Sequence, residues 1–565
     1  MDGAGNAAKT ARHLIIDSVL LGIVGALSAR LFMWMLGVAQ DLLLGRVAGY
    51  LPPRLLAEGG PLKETIGTHG LWCIPVATTL GGLLSGVLIY SLAPETEGHG
   101  TDTVVKSFHR AAGYLRARVP LLKMIASAIT IGSGGAAGRE GPTALITAGF
   151  GSLYATLWHR PDKERRQLVL IGMAAGLSAI FRSPIGTAIF AIEVLYSDME
   201  FDAGALIYTM LGSVVAYAVN GLFVGYEPLF QVPANLPVPS FGAYGWFTVL
   251  GIAAGGVGTI LPEVFYRVRD FFSGLPVPPH VKPAIGGLGI GLLALWLPQV
   301  LGGGYGWIQE AIDGALPLKL LLLLTFAKIL ALSLSVSSGG SGGVFAPSLF
   351  VGAMLGGAMA DVFHQPAAPL VIVGMAAVFG GAARVPVATL LMVVEMTGGY
   401  HLLVPAALSV VLSYITQEIL SASFRYHSLY EAQVPGRADS PAHRMEHLSA
   451  ALRLVGEQPG TLPLGTGEGN LKGLLASGIP VTLPGGKQLL LRVIRAGSPL
   501  VGKPVPSDFP ADADGRMEVL AAFREGETYM PNTDFRIQAG DQMLVVIPPG
   551  TKDRMVKKHF APILS

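Results

Sequence analysis

Long apolar stretches separated by short polar segments fill most of the chain. They lie at residues 14–45, 71–93, 119–137, 141–158, 167–195, 204–226, 243–265, 284–302, 318–336, 345–381 and 386–421. Several reach the roughly 20 residues with which an α-helix crosses a bilayer. Others are short or interrupted by Gly and Pro, and irregular backbone is tolerated at membrane depth where it is buried in protein or lines a wet cavity. The pattern predicts an all-α, multi-pass membrane protein whose broken helices surround a binding site.

The composition agrees with a lipid environment, with 51% hydrophobic and 13% charged residues. A net charge of +2 without a dense Lys/Arg run argues against a nucleic-acid partner. The single cysteine, Cys73, excludes a disulfide or a thiolate metal cluster within one chain. Lys9, Arg12 and His13 precede the first apolar stretch, which is too long for a signal peptide. We therefore expect a retained first helix and cytoplasmic termini.

The two halves of the apolar region share a pattern. Gly172-Met173-Ala174-Ala175 recurs 202 residues later at 374–377. In the same register, Arg182, Pro184, Thr187 and Glu193 match Arg384, Pro386, Thr389 and Glu395. The glycine-rich segment 133–142 recurs at 338–347, with an offset of 205. The chain therefore carries two repeats of one membrane unit.

Repeats with Gly- and Pro-interrupted helices at matching places are typical of transporters and channels whose site lies at the repeat interface. If the repeats are inverted, helix N-termini that enter from opposite sides converge at mid-membrane. Such termini carry unpaired N–H groups and a positive dipole end. We therefore expect a pathway that binds anions.

The composition changes after about residue 430. A polar, Pro- and charge-rich segment leads into short apolar runs at 488–496, 517–524, 527–530 and 542–547, with turns at 525–526 and 540–541. These runs predict strands of a small β-rich domain. The predicted organisation is a membrane domain at 1–432, a linker at 433–486 and a soluble α+β domain at 487–565.

Two phrases carry a family resemblance, Gly138-Arg139-Glu140-Gly141-Pro142 and Gly343-Val344-Phe345-Ala346-Pro347. Through them, residues 14–432 resemble the CLC family of chloride channels and chloride/proton exchangers. The tail resembles an RCK C-terminal (TrkA C-terminal-like) regulatory domain, through segments 497–503 and 531–541. The resemblance implies two inverted repeats, chloride as the ion and a homodimer with one pathway per subunit. The expected location is a bacterial inner (plasma) membrane.

Glu140 stands at a helix N-terminus, where the dipole favours a negative group, so its carboxylate can imitate the transported anion. We expect it to be both the gate and a proton carrier, although a helix-capping role is the alternative. The resemblance assigns anion binding to the backbone of Val344 and Phe345 and to the hydroxyl of Tyr430. An interfacial tyrosine is the alternative for Tyr430. The complete expected anion-binding set is His99, Gly100, Arg139, Glu140, Gly141, Val344, Phe345 and Tyr430.

Three positions refine this picture. His99 stands where the family usually has serine, and a reference pKa of about 6.5 suggests that it makes anion occupancy pH-dependent. A permanently neutral, structural histidine is the alternative. Val194 occupies the position of the exchangers' internal proton glutamate and cannot carry a proton. Lys123 lies alone in an apolar run, where its charge would attract anions unless it reaches the interface.

Because of Val194, the sequence favours a chloride channel gated by Glu140, and by pH through His99. A chloride/proton antiporter is the first alternative, and a membrane sensor regulated by an unidentified small ligand at the tail is the second. The glycine-rich segment 132–138 lacks the Gly-Lys-Ser/Thr ending of a phosphate-binding loop. We expect no enzyme activity, metal or cofactor. The expected partners are chloride, other small anions, protons, the lipid bilayer and a second copy of the chain.

Overall fold

The computed structural model describes residues 2–68, 70–233, 241–442, 481–482, 488–495, 497–505, 508–511, 515–524, 527–529, 535–547 and 560–561. The chain divides into two compact units. One comprises residues 1–105 and 115–435, and the other comprises residues 106–114 and 436–565. Most of the predicted linker 433–486 lies outside the described residues, so its boundaries stay a prediction.

Within its described part, the apolar region folds into sixteen α-helices. The first eight are α1 (Asp2–Gln40), α2 (Ile74–Leu92), α3 (Thr101–Arg110), α4 (Val119–Gly132), α5 (Glu140–Leu157), α6 (Asp162–Phe181), α7 (Pro184–Glu193) and α8 (Ala203–Val224). The second eight are α9 (Ala243–Gly274), α10 (Lys282–Ala294), α11 (Tyr305–Ile312), α12 (Leu318–Val336), α13 (Phe345–Val362), α14 (Ala367–Ala382), α15 (Pro386–Thr397) and α16 (Leu403–Ser421). A π-helix (Asp41–Ala48) follows α1, and β1 (Tyr50–Leu51) pairs with β2 (Thr65–Ile66).

Seven helices among the described residues are long and apolar enough to cross a membrane. The apolar helices α4, α7, α14 and α15 are shorter, at 10–17 residues. Proline stands in the first turn of α4, α7 and α15, where its missing N–H costs no hydrogen bond. The Gly- and Pro-rich breaks in the sequence are therefore helix ends inside the protein, as predicted.

The repeats exchange matching contacts. The carboxylate of Glu395 accepts hydrogen bonds at the start of α7, from the Ser183 hydroxyl at 2.6 Å and the Gly186 N–H at 2.9 Å. Its repeat mate Glu193 accepts hydrogen bonds at the start of α15, from the N–H groups of Val387 and Ala388 at 3.0 and 2.6 Å. Such reciprocal contacts are the mark of a two-fold axis. The predicted two-repeat architecture is confirmed.

The described part of the tail forms an antiparallel sheet in the order β3-β4-β8-β6-β5, with β7 on β6 and β9 on β4. The strands are β3 (Val481–Thr482), β4 (Gln488–Ile494), β5 (Asp508–Ala511), β6 (Gly515–Arg524), β7 (Glu527–Tyr529), β8 (Gln542–Ile547) and β9 (Phe560–Ala561). One face packs a core that includes Leu490, Met517, Val519, Met543 and Val545. The four predicted strands correspond to β4, β6, β7 and β8. The short strands β3, β5 and β9 were not predicted, because they carry little apolar pattern.

Candidate functional site

Two glycine-rich loops meet at the centre of the membrane unit. The N–H of Gly138 donates to the carbonyl of Gly343 at 2.7 Å, and the N–H of Gly343 donates back at 2.6 Å. Each loop leads into a helix, α5 at Glu140 and α13 at Phe345. This pairing brings the N-termini of α5 and α13 together, as the repeat pattern predicted.

The carboxylate of Glu140 lies at this junction, and the residue is only 2% exposed. One carboxylate oxygen accepts a hydrogen bond of 3.4 Å from the N–H of Ala346, in the first turn of α13. The other accepts a hydrogen bond from the hydroxyl of Tyr305, at the start of α11. The protein's own carboxylate thus occupies a place where helix dipoles and an N–H group favour an anion.

A chain of polar side chains extends from this carboxylate. The buried guanidinium of Arg139 lies 4.4 Å from the centroid of the Tyr305 ring, a cation–π contact. Arg139 also forms an ion pair with Glu58. The sequence prediction included Arg139 but missed Tyr305 and Glu58. A signal for Tyr305 existed, since it follows three glycines just as Thr101 follows Gly98-His99-Gly100 in the first repeat.

His99 lies on a third loop against the same centre. The N–H of Gly98 donates to the carbonyl of Gly340 at 2.9 Å, which ties this loop to the glycine segment before α13. Gly100 has φ of 88°, in the left-handed region that favours glycine. A Cβ at Gly141 would overlap the carbonyl oxygen of His99. Both glycines therefore serve close backbone approach.

The His99 side chain is only 6% exposed. Its ring centroid lies 5.4 Å from that of Tyr430 and 6.2 Å from that of Phe265. Within the described part of the chain, its Nδ1 atom has no hydrogen-bond partner. The His99 ring therefore packs against aromatic side chains, while its Nδ1 atom makes no hydrogen bond to the described residues.

Lys123 is fully buried and binds the backbone of the loop that carries His99. Its Nζ donates to the carbonyls of Thr96 and Gly98, at 2.9 and 2.7 Å. Its repeat mate Lys328 is also fully buried and donates to Val300 and Gly302, both at 2.7 Å. The Lys123 ammonium thus lies inside the protein and does not reach its surface. Sequence reasoning missed Lys328, although the 205-residue offset pointed to it.

Phe345 and Tyr430 belong to one aromatic cluster. The Phe345 ring lies 4.4 Å from Phe379 and 4.6 Å from Phe181. Tyr430 is 2% exposed, and its ring lies 6.4 Å from Phe190 and 6.5 Å from Phe379. Tyr430 is therefore buried among aromatic side chains and does not face lipid. Sequence reasoning missed the three partner phenylalanines, which only the fold brings together.

The segment that carries Tyr430 is fixed by backbone contacts. The Tyr266 hydroxyl donates to the Leu429 carbonyl at 2.7 Å, and the Leu429 N–H donates to Ala382 at 2.9 Å. Val194 follows α7 directly and is fully buried. The site thus places His99, Phe345 and Tyr430 around one aromatic cluster, and Glu140 at the meeting helix ends.

The sequence profile of the family described as "Voltage gated chloride channel" (CLC) matches residues 81–418, more than half of the chain. The chain belongs to the CLC family. The profile of the TrkA-C domain matches residues 489–558, so a TrkA-C domain follows the CLC domain. The resemblances predicted for the membrane domain and for the tail are both confirmed.

Curated CLC relatives cover most of the membrane unit. The H(+)/Cl(-) exchange transporter ClcA of Citrobacter koseri is 31% identical over 364 residues, which are 61% of this chain and 76% of the relative. The ClcA of Cronobacter sakazakii is 30% identical over 331 residues, 56% of this chain and 70% of the relative. A putative chloride channel protein, ClcB-like, of Ralstonia nicotianae is 29% identical over 423 residues, 72% of this chain and 94% of the relative.

Two solved structures share the CLC fold. A slow cyanobacterial Cl−/H+ antiporter has a TM-score of 0.64 at 22% identity, over 73% of this chain and 96% of its own. A CLC-type fluoride/proton antiporter has a TM-score of 0.62 at 22% identity, over 75% of this chain and 98% of its own.

Proposed function

We propose that this CLC protein exchanges chloride for protons, with Glu140 as both gate and proton carrier. The observation that carries the proposal is the buried Glu140 carboxylate at the meeting N-termini of α5 and α13. When ionised, it fills a place suited to the transported anion and closes the pathway. When protonated, it loses the charge that the helix ends favour, so chloride replaces it. The same carboxylate thus carries the proton and controls whether chloride enters the site.

The names of the relatives favour exchange over the channel that the sequence analysis preferred, since several ClcA relatives are described as H(+)/Cl(-) exchange transporters. The preference for a channel rested on Val194 alone. With valine at that position, the inner proton route has to use other groups, such as water.

The remaining predicted site residues have roles in this proposal. The N–H groups of Val344 and Phe345, the Tyr430 hydroxyl and the His99 ring are donors to chloride, and Arg139 and Lys123 supply positive charge. Gly100 and Gly141 allow the close backbone approach. The tail acts as a regulatory domain for an unidentified small ligand.

We also propose a homodimer in a bacterial inner membrane with cytoplasmic termini. Helices α8 and α16 carry large apolar side chains that are highly exposed, including Ile207, Leu222, Val404 and Ile419. Exposed apolar side chains of this kind suit lipid or a second subunit.

The proposal is tested by chloride efflux from proteoliposomes with simultaneous recording of external pH. We expect proton uptake in fixed proportion to chloride efflux, because each cycle protonates one carboxylate. Chloride efflux without proton movement would instead identify a channel, and no chloride efflux would contradict both.

Removing the hydroxyl of Tyr305 should weaken the closed state. In Tyr305→Phe, the ionised Glu140 loses a hydrogen bond, and bonds to charged groups contribute about 1.5–3 kcal/mol. We expect chloride flux at neutral pH to rise by about tenfold or more, since 1.4 kcal/mol corresponds to a factor of ten. At low pH, where Glu140 is protonated, flux should change little.

Tyr154→Phe is the matched control, because the Tyr154 hydroxyl binds Asp17 at 2.7 Å, away from the pathway. Flux that falls equally at every pH in Tyr305→Phe would point to a purely structural tyrosine.

Exchanging His99 for Ser should alter anion preference. Serine offers a shorter hydroxyl donor and removes the ring that packs on Tyr430. We expect the ratio of chloride to nitrate flux to change by about twofold or more, as differential hydrogen bonding of a ligand allows. Measuring the same variant across pH also tests the pH hypothesis, which an unchanged pH profile would contradict.

A further inference from the structure

A cavity of about 470 Å³ is lined in part by Arg139 and Glu58 but not by Glu140. Arg30 of α1, Arg139 and Arg182 line it, together with a single carboxylate, that of Glu58. The charged groups on its wall therefore sum to +2. The rest of its lining is largely apolar and includes Met33, Trp34, Phe223 and Leu229. A low-dielectric wall strengthens the field of the positive groups.

Three arginines share the single carboxylate of Glu58 on this wall. Glu58 pairs with Arg139. Arg182 is only 7% exposed and donates to two backbone carbonyls, those of Glu227 and Ala57, both at 2.7 Å. In the described ranges, neither Arg30 nor Arg182 has a carboxylate within ion-pair distance. A buried charge without an ion-pair partner is costly, so the Arg182 guanidinium favours an anion from solution, and the half-buried Arg30 adds to the positive charge.

The Arg182 guanidinium is held in a fixed position, which favours anion binding. It directly follows α6 with φ of 55°, and its two carbonyl contacts hold the guanidinium in place. Guanidinium groups remain charged at any physiological pH and donate several N–H groups in a planar fork. A fixed donor loses little entropy when it binds a ligand.

We propose that this cavity is a second anion-binding site, for a halide or another small inorganic anion. Because Arg139 borders both the cavity and Glu140, an anion held there lies next to the gate and feeds the pathway. The proposal that the cavity binds an anion is based on its excess of arginines. The proposal that this anion supplies the pathway also rests on the proposed chloride transport.

Crystals of the full-length protein soaked in sodium bromide test the binding site by anomalous diffraction. We expect a bromide peak between Arg30 and Arg182, which Arg182→Gln abolishes. Arg384→Gln is the matched control, because Arg384 is the repeat mate with the same φ of 55°. Arg384 bonds Gln417 and Ser421 at 3.4 and 3.2 Å and does not line the cavity. The cavity peak should persist in that control.

The chloride dependence of transport tests the feeding role. In Arg182→Gln, the half-saturating chloride concentration should rise by about three- to tenfold with an unchanged maximal rate, as loss of electrostatic focusing predicts. Arg384→Gln should match the wild type. Equal shifts in both variants would overturn the feeding role.

A bromide peak beside Val344 and Phe345 without one in the cavity would overturn the inference and leave the proposed function intact. A cavity peak in a protein that does not transport chloride would overturn the proposed function instead.

Discussion

Replacing Glu140 with Gln should stop proton transport while chloride still moves. Glutamine has nearly the same shape but cannot bind and release a proton, and without a negative charge it does not compete with chloride at the helix N-termini. Proton uptake into proteoliposomes should fall to the level of protein-free vesicles. Chloride efflux recorded in the same vesicles should persist and lose most of its dependence on pH.

Glu310→Gln serves as the control for this experiment. Glu310 lies on α11, the helix that begins with Tyr305, but makes no described contact with Glu140. Its loss should leave the ratio of protons to chloride unchanged. Proton uptake that survives in Glu140→Gln would show that another residue carries the proton.

Glu193→Ala should have the largest effect on stability. Glu193 is 0% exposed and accepts two hydrogen bonds at the start of α15, from Val387 and Ala388. Alanine leaves two N–H donors without a partner inside the protein, and each unsatisfied buried donor costs about 1–3 kcal/mol. We expect the free energy of unfolding to fall by about 2–6 kcal/mol, measured as a lower midpoint of thermal unfolding in detergent.

The repeat mate supplies the comparison for this stability prediction. Glu395 is only half-buried, so water can replace part of its contacts and Glu395→Ala should destabilise less. Glu193→Gln, which keeps one acceptor, should fall between Glu193→Ala and the wild type. A Glu193→Gln protein with wild-type unfolding but no proton coupling would show that Glu193 carries protons and is not chiefly a helix cap.

The central architecture could be predicted because it depends on local sequence patterns. Glycine and proline must stand wherever helices break at membrane depth, and the same break occurs in each repeat. The offset between Gly138 and Gly343 therefore predicted that the starts of α5 and α13 meet. The strands β4 and β8 could also be predicted, since each is a compact apolar run between polar segments.

Other parts of the site depend on contacts that no local pattern carries. Glu58 ends a three-residue 3-10 helix (Leu56–Glu58), which is too short to leave a periodic pattern, yet it pairs with Arg139. The aromatic cluster joins Phe181, Phe190 and Phe379 to Phe345, and these phenylalanines have no aromatic repeat mates. The preference for a channel, which the names of the ClcA relatives favour less than exchange, had a narrow basis. One valine at position 194 reports on a single step, whereas coupling depends on the whole proton route.

The exchanged carboxylates also constrain how the chain is made. During synthesis α7 enters the membrane about 200 residues before Glu395 is translated, so its first N–H groups initially lack the acceptor that they have in the finished protein. Unsatisfied backbone donors are costly in hydrocarbon. The first repeat therefore has to remain near water, the translocation machinery or another temporary acceptor. The two repeats therefore complete these hydrogen bonds together, in the last step of folding of the membrane unit.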